Sequence, residues 1–169
     1  SVSSIELGPS HACAIGTDDD TSNTQLWCWG YNNNKQTRTG TTATIQLTTG
    51  AHNSPIYESA SSGSIPIHVE TDYTQTCVLF SNSTVYCIGL HHLPDGTSET
   101  PNDWWELDGY GQDVTSLSSG SSSTNGMCVM VADNKALNCW GANNQEQLAR
   151  GYTSSYGTPD GVFGLIAGR

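Results

Sequence analysis

The sequence predicts an all-β fold: β-propeller-like repeats of small antiparallel sheets, three blades plus an extra C-terminal strand. Three observations carry this expectation. Of 169 residues, 21 are Ser, 20 are Thr and 18 are Gly, and only 12% are charged, which leaves few of the Ala, Leu, Glu and Lys that helices favour. A pair of cysteines flanking a turn recurs three times along the chain, the mark of a repeat architecture. The cysteine-bearing strands Cys77 to Phe80 and Met127 to Ala132 are apolar at successive positions. A sheet with one wet face alternates instead, so these small sheets are sandwiched between others, as in propellers and solenoids.

The first unit opens with the strand Val2-x-x-Ile5-x-x-Gly8. A hairpin follows, His11-Ala-Cys13-Ala-Ile15 against Leu26-Trp-Cys28-Trp-Gly30, joined by an eight-residue loop from Thr17 to Thr24 that pairs Gly16 with Gln25. In the second unit Ser64 to Val69 leads into Gln75-Thr-Cys77-Val-Leu79. The three-residue turn Ser81-Asn82-Ser83 then pairs Phe80 with Thr84 and returns through Val85-Tyr-Cys87-Ile-Gly89. The third unit has Val114-x-x-Leu117-x-x-Gly120, then Gly126-Met-Cys128-Val-Met130, the turn Asp133-Asn134, and Leu137-Asn-Cys139-Trp-Gly141. Asn and Asp tolerate the positive φ that tight turns require. The units span about 1–50, 64–96 and 113–158 of a single repeat domain, 1–169. Val162-x-x-Leu165-x-x-Gly168 repeats the opening strand once more, as an extra strand over 161–168.

Counting outward from each turn sets Cys13 opposite Cys28, Cys77 opposite Cys87, and Cys128 opposite Cys139. Directly opposed Cα atoms lie about 4.5–5.5 Å apart, within disulfide reach, so one bridge is expected inside each hairpin. Zinc sites favour close Cys-x₂₋₄-Cys pairs, and these gaps are 15, 10 and 11. An even cysteine count points to an oxidising compartment. The sequon Asn82-Ser83-Thr84 adds a glycosylation site at Asn82. The opening Ser-Val-Ser-Ser fits a processed start or a fragment equally. An extracellular, secreted protein is expected. Five basic residues against 16 acidic ones give a net charge of −11, too few cations for a phosphate-tracking surface, so nucleic acid is not an expected partner. No stretch approaches the roughly 20 apolar residues of a membrane helix, so no membrane insertion is expected.

His11-Ala-Cys-Ala-Ile, Leu26-Trp-Cys-Trp-Gly-Tyr-Asn and Cys139-Trp-Gly-Ala-Asn-Asn-Gln-Glu-Gln-Leu resemble the repeat of the regulator of chromosome condensation family. The cysteines make it similar to the secreted branch, which includes a bacterial β-lactamase-inhibitor propeller. The resemblance covers the three hairpins and their leading strands. It implies a propeller of four-stranded blades, with His11 structural and packed within its blade. Trp29 and Trp140 are equivalent positions that point to core packing. In the second unit Gly89-Leu-His-His replaces the family's Gly-x-Asn run. The segments from Arg38 to Gly63 and from His91 to Gln112 are longer than the family's connections. The family's chromatin contacts need a basic tail, and this chain is acidic, so those roles are not implied.

Six further segments stand out. Asp18 to Asn23 is a run of oxygen donors without the glycine and closing Glu of a calcium loop, and reads as a solvated loop. His91 and His92 beside Asp95 read as exposed loop, because adjacent side chains diverge on extended chain. The Ser/Thr-rich tracts 37–50, 59–64 and 116–125 read as surface loops or as O-glycosylated tracts. Asn102 to Asp108 is the candidate ligand patch, where Trp104 and Trp105 beside Asp103 and Glu106 suit sugar stacking or protein binding. No nucleophile elbow, zinc-protease or phosphate-loop motif is present, so no enzyme, cofactor or metal is expected. The expected function is a secreted, non-catalytic structural or interaction module. It self-assembles through its incomplete repeat, using Val162, Phe163, Leu165 and Ile166, into a homo-oligomer or filament. The alternative is a carbohydrate-binding lectin using Trp104 and Trp105, with glycans or another extracellular protein as partner.

Overall fold

In a computed structural model, the structure describes residues 1–37, 41–44, 55–58, 63–92, 98–107, 113–120, 126–132, 136–143, 145, 148, 154–157 and 162–163. The fold is all-β, built as three consecutive antiparallel blades. The first blade orders β1 (Val2–Leu7), β2 (His11–Thr17), β3 (Thr24–Gly30) and β4 (Tyr57–Glu58) from one edge to the other. The second begins with β5 (Pro66–Thr71), β6 (Gln75–Phe80) and β7 (Val85–Gly89). A small ladder of β8 (His91–His92) with β9 (Ser98–Glu99) precedes its fourth strand, β10 (Trp105–Glu106), which pairs β7. The third orders β11 (Val114–Ser119), β12 (Gly126–Val131), β13 (Ala136–Asn143) and β14 (Ser154–Gly157), and β15 (Val162–Phe163) also pairs β13.

The three units repeat in detail. Each opening strand carries a bulge at its second position, between Val2 and Ser4, Pro66 and His68, and Val114 and Ser116. Each hairpin ends on a glycine with φ near 108°, namely Gly30, Gly89 and Gly141. At Gly89 a Cβ would run into the Thr74 carbonyl oxygen and stand 2.7 Å from Gln75 Cα, so backbone approach as well as conformation demands glycine there. The cysteines face one another in every register, and the bonds Cys13–Cys28, Cys77–Cys87 and Cys128–Cys139 form with Cα atoms 4.1 Å apart.

Register decides which face of a blade meets its neighbour. Cys13, Ile15, Leu26 and Cys28 share one face of the first blade and pack on Val69, Val78 and Phe80 of the second. The second blade's opposite face, Cys77, Leu79, Val85 and Cys87, packs on Val114, Leu117, Met127, Val129 and Trp140 of the third. The blades therefore stack in one direction, disulfide face onto the other face of the next blade. Among the described residues only the second is covered on both sides, and every residue of Gln75–Phe80 is buried. Val2, Ile5 and Leu7, on the uncovered face of the first blade, are 70%, 57% and 73% exposed.

Several expectations change. The first hairpin gains a further pair, Thr17 with Thr24, so its loop is shorter than eight residues. Trp29 is half-buried while its equivalent Trp140 is buried, because no described blade lies on the face that Trp29 shares with Ala12. The longer segments after the first two hairpins supply the fourth strands, β4 and β10. Ser116 to Ser119 lie in β11 rather than in a loop. Val162 and Phe163 form the short strand β15 and pair with Asn138 and Leu137 of β13 in their own chain. Leu165 and Ile166 lie outside the described residues.

Replacing Cys77 and Cys87 by Ala is expected to lower unfolding stability by about 2–4 kcal/mol. The loss should exceed that from removing Cys128–Cys139, whose loop is nearly the same length (sequence separations 10 and 11) but whose Cys128 is only half-buried. Urea unfolding monitored by tryptophan fluorescence measures both.

Candidate functional site

Between the outer strands of the first two blades lies a cleft of about 350 Å³ lined by Tyr57, Ser64, Phe80, Asn82, Thr84, Tyr86 and Trp104. Each aromatic arrives from a different place for a stated reason. Tyr57 lies on β4, opposite Leu26. Phe80 ends β6 on the face that meets the first blade, and Tyr86 follows it on β7, opposite Val78. Phe80 packs edge-on against both tyrosines, with ring centroids 4.9 Å from Tyr57 and 5.7 Å from Tyr86, the geometry aromatic quadrupoles favour. The Tyr86 hydroxyl donates to Glu106 Oε2 at 3.0 Å, and the Tyr57 hydroxyl donates to the Ser64 carbonyl at 3.2 Å. The walls are apolar rings and the rim is polar, the pattern of a small-ligand site.

The expected patch of two adjacent tryptophans divides. Trp104 packs on the core between blades one and two and lines the cleft. Trp105 pairs with Cys87, turns to the other side and packs on the core between blades two and three. It stacks on His91 with centroids 4.1 Å apart. Alternation along extended chain forces this split. Asp103 Oδ1 accepts the Trp104 N–H at 2.8 Å, and Glu106 anchors Tyr86. Tyr57, Phe80 and Tyr86 were not singled out from sequence. The available signal was Phe80 and Tyr86 flanking the Asn82 turn at positions that share a face.

The other candidates are structural. Asp18 Oδ1 accepts from Asp20 N–H, Thr21 N–H and the Thr21 hydroxyl at 2.8–3.0 Å, and the Thr21 backbone donor leads in holding its carboxyl below the usual range. No cluster that could hold a metal occurs among the described residues. His91 lies 3.6 Å from Glu99, and Asp95 lies outside the described residues. His11 bridges blades rather than packing within one. Its Nε2 is 2.7 Å from Thr76 Oγ1, whose hydroxyl donates to the Gln36 carbonyl at 2.7 Å. Nε2 therefore carries the proton and donates. Gln36 is buried against the second blade, and its Oε1 accepts the Asn34 N–H. A second seam runs from Trp140 Nε1 to Gln75 Oε1, and from Gln75 Nε2 to the buried Asp72. Burial pushes the Asp72 carboxyl up against the pull of the Thr74 and Gln75 donors. Asn32 and Asn143 are equivalent, each accepting a backbone N–H five residues on, from Thr37 and Leu148.

Residues 2–36 match the family model described as the Regulator of chromosome condensation (RCC1) repeat. The fold is similar to yeast RCC1 (Prp20) in its complex with Kap60, at 18% identity and a TM-score of 0.67 over 97% of this chain. It is also similar to Prp20p from Saccharomyces cerevisiae, studied for binding to Gsp1p and histones, at 20% identity and 0.64 over 88%. Human WBSCR16 matches at 19% identity and 0.57 over 83%. The chain spans about a third of those proteins' lengths, 37%, 34% and 33%. No curated protein matches in sequence. The first unit is thus similar to an RCC1 repeat, and the chain shares the fold of consecutive blades of these solved propellers.

Burial lowers the His11 pKa from 6.5 to about 4. The unfolded chain then binds a proton that the folded chain refuses, so stability is full above pH 6.5 and falls as pH drops toward 4. The loss attributable to His11 is on the order of 3 kcal/mol. Urea midpoints of wild type and His11→Gln, compared at pH 7.5 and 4.5, should show a smaller acid shift in the variant.

Proposed function

We propose that this chain is an extracellular, non-catalytic interaction module that docks a further blade face on the open side of its first blade. The carrying observation is the exposure of Val2, Ile5 and Leu7 on a strand whose counterparts in the next blades bury Val69, Val114 and Leu117 under a disulfide face. Burying these side chains is favourable by roughly 1.5–3 kcal/mol each. The solved propellers it resembles carry protein partners in their titles, Kap60, Gsp1p and histones, which supports an interaction role. Three disulfides among six cysteines, with none free, support an extracellular place.

The occupant we assign is a second copy. On the third blade's disulfide face Met130 is 50% exposed, and this is the kind of face that covers Val69 and Val129 inside the chain. Copies then join head to tail, and a heterologous contact yields rings or filaments according to whether the rotation closes. On this reading self-association uses blade faces, while Val162 and Phe163 pair within their own chain. A second reading, carbohydrate binding, is favoured by the four aromatic rings of the cleft.

Analytical ultracentrifugation tests the first reading. Wild type should associate with rising concentration, while Ile5→Asp/Leu7→Asp and Met130→Asp should each remain monomeric with unchanged circular dichroism. Mixed together, the two variants should form dimers, since one retains each face. Wild type that stays monomeric at high concentration, or variants that associate as it does, would overturn the reading.

A further inference from the structure

The aromatic cleft and the sequon are one site. Phe80-Ser81-Asn82-Ser83-Thr84 spans the β6–β7 hairpin and is the only Asn-x-Ser/Thr sequon in the sequence. The Ser83 N–H donates to the Phe80 carbonyl and the Phe80 N–H to the Thr84 carbonyl, both at 2.9 Å, and Ser83 has φ 64°. This is a three-residue hairpin, a type I turn followed by a left-handed residue. It holds Asn82 at the tip, two residues from Phe80. Asn82 Oδ1 accepts from the Thr84 hydroxyl at 2.7 Å, the Ser64 hydroxyl at 2.9 Å and the Thr84 N–H at 3.4 Å. Those bonds fix the carboxamide with its oxygen inward. Asn82 is exposed yet lines the cleft.

We propose that Asn82 carries an N-linked glycan and that the first sugar ring lies in the cleft against Phe80, Tyr86 and Trp104. The inference rests on the extracellular reading. The attachment uses a polyprenyl-diphosphate-linked oligosaccharide of the secretory pathway. Asn82 Nδ2 bonds to the sugar's anomeric carbon and gives up one amide proton. The bond from that carbon to the diphosphate oxygen breaks, and the polyprenyl diphosphate leaves with the electron pair. The anchored N-acetylglucosamine presents an apolar C–H face that aromatic rings cover, and its amide and hydroxyls reach the polar rim at Ser64 and Thr84. Tethering makes the contact intramolecular, at an effective concentration in the millimolar range, so stacking too weak to hold a free sugar holds this one. The chain's own glycan thereby occupies the surface that a lectin would offer to a foreign glycan.

The test uses the full chain secreted from a eukaryotic cell line. Intact mass should show one glycan, mapped to Asn82. Trimming to a single N-acetylglucosamine should leave the melting temperature unchanged, whereas removing that last sugar should lower it by about 2–4 °C. Trp104→Ala should abolish the difference between trimmed and stripped forms. The N-acetyl methyl proton resonance of the trimmed form should move upfield by aromatic ring current and return on unfolding. A secreted, fully oxidised chain with Asn82 bare, or a methyl resonance that does not move, overturns the proposal. So does binding of free chitobiose by Asn82→Gln, which would make the cleft a lectin site. Retention inside the cell with reduced cysteines would instead refute the extracellular reading.

Discussion

The packing of a disulfide-bearing sheet face onto the opposite face of the next sheet is the contact on which the rest of this structure depends. It occurs between blades one and two and again between two and three, with Cys13, Ile15, Leu26 and Cys28 in one case and Cys77, Leu79, Val85 and Cys87 in the other. Hairpin register sets it up. With side chains alternating strictly, a slip of one residue would turn each cysteine pair to the wrong side, and the bridges hold that register covalently. A four-stranded sheet this small cannot hide both faces alone, so each blade relies on its neighbour.

Two polar seams give the stack its orientation. Apolar faces slide with little penalty, but His11–Thr76–Gln36 and Trp140–Gln75–Asp72 place directional bonds between buried partners on successive blades. Misalignment would leave these groups dry and unpaired, at a cost of about 1–3 kcal/mol each. The segment after the first hairpin, ending in Gln36, thus acts as a clasp on the second blade. The outer strands do a different job. They bring Tyr57 and Trp104 beside Phe80 and Tyr86, so the cleft exists only because two blades are locked at a fixed angle.

Much of this was legible in the chain itself. The opposed cysteines, the repeated opening strands and the apolar runs of the hairpins specify register, unit count and stacking, because each is a local pattern with a strict period. The cleft was not legible, since Tyr57 and Trp104 come from long segments without periodicity and meet only through tertiary packing. Trp104 and Trp105 part for a local reason: adjacent residues of extended chain diverge, so Trp104, just before β10, packs at one interface and Trp105, in β10, at the other. Trp29 shows the opposite limit. Its repeat position specifies a covered tryptophan, but cover depends on a neighbouring blade, and on that side of the first blade the face stands open.

These features describe a stack of blades whose middle member packs on a neighbour on each face among the described residues. Amide hydrogen exchange at low and high protein concentration tests this most directly, because protection reports local opening within each blade. The account predicts that Gln75–Phe80 and Val85–Gly89 exchange slowest at both concentrations, and that His11–Thr17 and Thr24–Gly30 gain protection as concentration rises. First-blade strands as protected as the second blade's in dilute solution, or second-blade strands that exchange first, would contradict it.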